Sequence, residues 1–191
     1  MKFAIITISS IAFAIITFIV ILSANNHQAV TKSSSTTPSL VLYENTTSSV
    51  SLTTFGNLVA NSARIAVQIK VSSNDVNISI LSGYQETMVK TEDFANNQTA
   101  YNYFLNNLNA SNFLVSKTTT LDESSACPNG ETYQLDLTNN SKTISNLWDD
   151  NCNPGVDGTF KGNRKQNIFA INTLFQNQVT NYADFTSNYT F

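Results

Sequence analysis

The chain has 191 residues, of which only 12% are charged, and its formal net charge is −3 at neutral pH. So weak a field excludes nucleic-acid binding by counterion release and the steering of charged substrates. Polarity comes instead from 26 Asn and 45 Ser or Thr. Six Asn-x-Ser/Thr sequons, at Asn45, Asn77, Asn97, Asn109, Asn139 and Asn188, are the number that this composition produces by chance, so they permit glycosylation without arguing for it.

Residues 1–22, "MKFAIITISSIAFAIITFIVIL", read as a separate element. Phe3 to Leu22 is a run of 20 residues whose only polar members are Thr7, Ser9, Ser10 and Thr17, long enough for a helix to cross a roughly 30 Å hydrocarbon core. Two readings are open, a retained signal anchor and a signal peptide cleaved after Ala24; both export the remainder. Lys2 precedes the span and no charge follows it before Lys32, which places the N-terminus in the cytoplasm. Residues 23–39 are rich in Ser, Thr and Asn and read as a flexible stalk. Residues 40–191 are left for one extracytoplasmic domain with a real core.

Within that domain "LVLYE" and "VSLTTFGNLVA" read as strand. Alternation is clearest in "ARIAVQIKV", where Ile65, Val67, Ile69 and Val71 share one face. After the turn at 72–75 comes "VNISIL", and Ser82-Gly83 reads as a two-residue hairpin leading to "YQETMVK". "TEDFANNQTAYNYFLNNLNAS" switches to helical spacing, with Phe94, Tyr101, Phe104, Leu105 and Leu108 on one stripe and Thr91 or Asp93 as cap. "NFLVSKTTTL" reads as strand again. "ETYQLDL" and "KTISNLW" form a hairpin about Asn139-Asn140-Ser141. A last helix covers 164–180, with Ile168, Ile171, Phe175 and Val179 on one face and Asn163 and Gln166 at capping-box spacing. The expected fold class is α+β: an antiparallel sheet with two helices packed on one face, preceded by an N-terminal transmembrane helix.

Few features could carry chemistry. Cys127 and Cys152 are the only cysteines, and in an exported chain they are expected to bridge across the hairpin. The stretch "DDNCNPGVDG" offers oxygens at Asp149, Asn151, Asn153 and Asp157 for a weak calcium site. Pro154 and Phe160 stand where an EF-hand loop needs its Gly and its Glu. "GVDGTFKGNRK" brings Lys161, Arg164 and Lys165 to a helix start, a solvated basic end or an anion site. Trp148, the sole tryptophan, reads either as packing on the disulfide or as a sugar-stacking platform. The carboxylate pairs Asp122-Glu123 and Asp149-Asp150 leave a carboxylate-dependent glycan hydrolase open. With His27 alone in the stalk, a Ser-His-Asp triad is excluded, and no cofactor is expected.

The run "ACPNGETYQLDL … SNLWDDNC … GTFKGN … LFQNQVTNY", with "FANNQTAYNYFLNNLNASNF" before it, resembles small exported bacterial domains. These share a Cys-Pro-x-Gly start, a Leu-Trp-x-x-x-Cys close and a Leu-Phe-x-x-Gln helix. The resemblance covers roughly residues 63–182 and implies an exported, disulfide-bonded domain without implying an activity. Type IV pilin-like subunits are similar in their apolar N-terminal helix and C-terminal disulfide, but their Gly-Phe cleavage signal and the acidic residue inside that helix are missing here. The expected function is therefore a membrane-anchored, non-catalytic binding module facing an unknown protein or glycan. A glycan hydrolase and a surface-filament subunit are the alternatives.

Overall fold

A computed structural model describes residues 38–119, 127–152, 158–162 and 164–189, with Arg164 and Lys165 described in their backbone only. The apolar run 3–22, His27, most of the 23–39 stalk, Asp122, Glu123, Asn153, Asp157 and Asn163 lie outside the described residues. Among those described, no helix is long and apolar enough to cross a membrane.

Six strands form one antiparallel sheet: β1 (Ser48–Phe55), β2 (Ile65–Ser72), β3 (Asp75–Ser82), β4 (Thr87–Ala95), β5 (Thr132–Asn139) and β6 (Lys142–Asp150), in the order β4-β3-β2-β1-β5-β6. Period-two alternation sets the register, because a one-residue slip would turn every apolar side chain to the wrong face. One row runs across five strands as Ile78, Ile69, Leu52, Leu135 and Leu147, each opposite the next. A parallel row joins Phe94, Val76, Val71, Val50 and Leu137. The β5–β6 hairpin closes through Asn140 (φ 50) and Ser141 (φ 62), the two left-handed residues that a tight hairpin turn demands.

The apolar rows are covered by helices. α1 (Gln98–Ala110) is capped by Asn97, whose side-chain oxygen accepts from the Ala100 N–H, and it buries Tyr101, Phe104, Leu105 and Leu108. It ends through Asn112 in the left-handed region (φ 62) and a Phe113 N–H donating to Leu108 O at 3.2 Å, a closure that satisfies a terminal carbonyl. α2 (Phe169–Gln176) follows one wide π turn at Arg164–Ile168. Ile168, Ile171, Phe175 and Val179 are buried as their spacing predicts, and Phe175 meets Phe104 edge to face at 5.1 Å. A short third helix, α3 (Tyr182–Thr186), completes the layer. The α+β architecture is thus as expected.

Local differences have physical causes. Thr91 to Ala95 belong to β4, not to the helix: the Asn77 amide donates to Thr91 Oγ1 (2.8 Å) and Asp93 Oδ1 (2.7 Å) across the strands, and the cap is Asn97. The β3–β4 turn uses four residues, 83–86, with Gly83 at φ 74 and Glu86 at φ 51, so Tyr84 leaves the strand. "LVLYE" is a 3-10 turn, Leu40–Tyr43, held by Asn109 Oδ1 accepting from the Leu40 N–H at 3.0 Å. In "NFLVSKTTTL", Phe113 and Leu114 are buried, but among its described residues only Ser116 makes a bridge, to Phe160. α2 stops at Gln176 instead of reaching 180.

Candidate functional site: two edges of one sheet

At one edge lies β6. Cys127 and Cys152 are joined by a disulfide with Cα atoms 5.6 Å apart, as the sequence predicts. Asn151 locks the same hairpin end: its N–H donates to Glu131 O (3.0 Å), its Oδ1 accepts from the Glu131 N–H (2.8 Å), and its Nδ2 donates to Glu131 Oε2 (2.9 Å). The Tyr133 hydroxyl also donates to Glu131 Oε2. Burial, then the neighbouring Glu131 carboxylate, pushes the Tyr133 phenol well above its ordinary range.

Asp149 and Asp150 are each 1% exposed. Asp149 Oδ1 accepts from the Asp150 N–H at 3.0 Å and Asp150 Oδ1 from the Cys152 N–H at 2.9 Å. The four calcium candidates therefore divide: Asp149 and Asn151 hold the hairpin end, while Asn153 and Asp157 lie outside the described residues. Asp150 and the two sulfurs come within 4.8 Å of one another, but the sulfurs are bonded to each other and offer no thiolate.

Trp148 is 5% exposed, so its ring packs inside and presents no sugar-stacking platform. Its N–H donates to Thr159 Oγ1 (2.9 Å) and its carbonyl accepts from the Phe160 N–H (3.1 Å). A Cβ at Gly158 would stand 2.1 Å from that carbonyl, which is why glycine is needed there. Segment 158–161 is covered in turn by 115–117, through Lys117 N–H to Thr159 O and Lys161 N–H to Val115 O, both 2.8 Å. Phe160 inserts fully into the core. The second half of β6 is therefore capped twice, and only its first five residues, next to the hairpin tip, escape burial. Lys161 is exposed; the side chains of Arg164 and Lys165 lie outside the described residues.

At the other edge lies β4, which local spacing did not single out. Among the described residues no strand pairs with its outer side, and seven of its nine residues are exposed. Met88 is 57% and Val89 52% exposed. A bulge opposite Ile80/Leu81 interrupts the strand at its start, leaving Lys90 to Ala95 regular. The Lys90 ammonium donates to Phe185 O at 2.8 Å and sits 4.0 Å over the Phe185 ring. Glu92 is exposed on the same face, two residues along. Beside the β3–β4 turn, the Arg64 guanidinium stacks 4.3 Å over Tyr84.

The helix-free face of the sheet carries a second buried apolar cluster, Phe55, Ala66 and Leu81, and the buried Trp148; elsewhere it is polar and laterally bonded. Gln68 donates to Thr53 Oγ1 at 3.1 Å and Asn146 to Asp136 Oδ1 at 2.6 Å. Burial raises the Asp136 carboxyl above its ordinary pKa, although the Asn146 and Gln134 amides oppose the shift. A half-open cleft of about 230 Å³ lies between Pro38, Ser39, Asn109, Asn112, Leu114 and Val115, below the roughly 300–1,000 Å³ usual for a small-molecule site. No protein-family model matches the chain, and no curated protein is significantly similar to it.

Proposed function

We propose that the chain is a non-catalytic interaction module held outside the cytoplasm, which takes up an extended protein strand along β4. In this reading residues 3–22 anchor it in the membrane, 23–39 are the stalk, and 40–191 face the exterior; cleavage after Ala24 would make it secreted. The observation that carries the reading is the difference between the sheet's edges: β6 is capped through half its length, whereas among the described residues no strand pairs with the outer side of β4, and seven of its nine residues are exposed. Open edges template pairing with another chain, and folded proteins normally cover or shorten them. Strand addition recruits backbone groups for affinity and side chains for selection. The disulfide is consistent with an oxidising compartment.

Hydrogen exchange tests this reading. In the native membrane fraction the amides of 87–95 are expected to exchange more slowly than in the purified, dilute full chain, while those of 140–143 stay unchanged. Equal exchange of β4 in the two states would remove the basis for strand uptake.

A further inference from the structure

We infer that the strand β4 accepts is β4 of a second copy, paired antiparallel and centred on Thr91; this rests on the strand-uptake reading above. An antiparallel pair of identical strands is related by a two-fold axis perpendicular to the sheet, so each residue must face one that points to the same side of its own sheet. Only registers centred on a residue meet that condition. Centring on Lys90, Glu92 or Asp93 sets that charge against its own copy, which is unfavourable for directly opposed side chains. Centring on Thr91 places Lys90 opposite Glu92 of the second copy, and Glu92 opposite its Lys90, with the neutral threonines facing each other. Val89 is no alternative centre, because the bulge lies there.

The geometry of a single copy agrees with this assignment. Lys90 and Glu92 lie on the helix-covered face, since they stand opposite Ile80 and Ile78. Thr91 lies on the polar face, where its Oγ1 accepts from the Asn77 amide and meets Ser79 Oγ at 3.1 Å. Lys90 is held over Phe185, its ammonium kept on the face that its partner carboxylate would approach. The two sheets would join into one of twelve strands, from six in each copy, with all helices on the same side. Edge pairing buries little area, so the dimer is expected to be weak in dilute solution. It should be favoured where two copies share a membrane, because tethering raises their effective concentration.

Both native cysteines are bonded to each other, so Thr91→Cys in the full chain adds the one free thiol. Under mild oxidation in native membranes it is expected to give a disulfide-linked dimer, because directly opposed residues have Cβ atoms about 4.5–5.5 Å apart. Lys142→Cys, exposed on the far edge, is the collision control. Adding Glu92→Lys sets ammonium against ammonium twice and is expected to lower the Thr91→Cys dimer about tenfold. Adding Lys90→Glu as well should restore it, with circular dichroism checking that each variant is folded. Dimer no greater than the Lys142→Cys control, or dimer insensitive to Glu92→Lys, overturns self-pairing. If β4 amides are protected in membranes while Thr91→Cys fails to cross-link, strand uptake stands and the partner is a different chain.

Discussion

The two edges of the sheet solve the same physical problem in opposite ways. The second half of β6 is sealed by the 158–161 segment, by the 115–117 segment beyond it, by a disulfide and by the Glu131–Tyr133–Asn151 cluster. Among the described residues, β4 has only charged side chains and a bulge to discourage a neighbour. Closure at β6 consumes fully buried groups, so changes there should be felt in stability. β4 is exposed, so changes there should be felt in association and hardly in stability.

Phe160→Ala should break the contrast most severely. The ring is fully buried, and truncating a core phenylalanine costs about 3–5 kcal/mol. Urea denaturation would measure this, and hydrogen exchange at 147–149 should rise as the capping segment detaches. Replacing Cys127 and Cys152 together by Ala comes next. The bridge spans 25 residues, and on the chain-entropy model such a loop is worth roughly 3.5 kcal/mol. A midpoint unchanged under reducing conditions would show that the hydrogen-bonded cluster closes this edge without the disulfide.

Tyr133→Phe probes that cluster and is smaller, about 1 kcal/mol, because Glu131 loses a phenolic donor in a part-buried setting. The pH dependence has a definite sign. Burial raises the phenols of Tyr101 and Tyr182, and burial with Glu131 raises that of Tyr133. The folded state therefore keeps protons that the unfolded chain releases near pH ~10. This stability is whole below about pH 10 and is lost as pH rises further. Alkaline melting curves should be shallower for Tyr133→Phe than for the native chain. Asp136 behaves likewise at acid pH: its carboxyl is raised by burial, so its contribution is whole below about pH 4 and is lost as pH climbs through the folded value. Asp136→Asn should flatten the melting temperature across that window.

How far this contrast was legible in the sequence depends on the range of the signal. The β2–β3 and β5–β6 hairpins were readable because Val67, Ile69 and Val71, or Tyr133, Leu135 and Leu137, alternate between strong turn residues. The cysteine pairing was readable because the hairpin it closes was. β4 was mistaken at its end because Phe94 falls on the stripe of Tyr101, Phe104 and Leu108. The deciding fact, Asn77 reaching Thr91 and Asp93, is a cross-strand contact. "LVLYE" has strand composition, yet its Leu40 N–H is claimed by Asn109, 69 residues away. α3 has five residues, too few for periodicity to show. Edge status was least readable of all, since strand order depends on which strands pair and no local pattern encodes it.

The smallest expected effect on stability is therefore the sharpest test of the comparison. Val89 is 52% exposed in the bulge of β4, and an exposed substitution away from caps, turns and buried partners usually stays within about 0.5 kcal/mol. Val89→Asp should leave the urea midpoint of the dilute chain nearly unchanged, while in the Thr91-centred register it sets a carboxylate against Asp93 of the second copy, a like-charge pair that discourages pairing at the open edge. If β4 is a binding edge, the membrane-dependent protection of 87–95 should fall in this variant although the fold is intact. If β4 instead supports the domain as β6 does, the midpoint should drop by the amount seen for a buried strand. A stable variant that also keeps its membrane-dependent protection would rule out the Thr91-centred register, because the contact on β4 would then not bring residue 89 against Asp93 of the second copy.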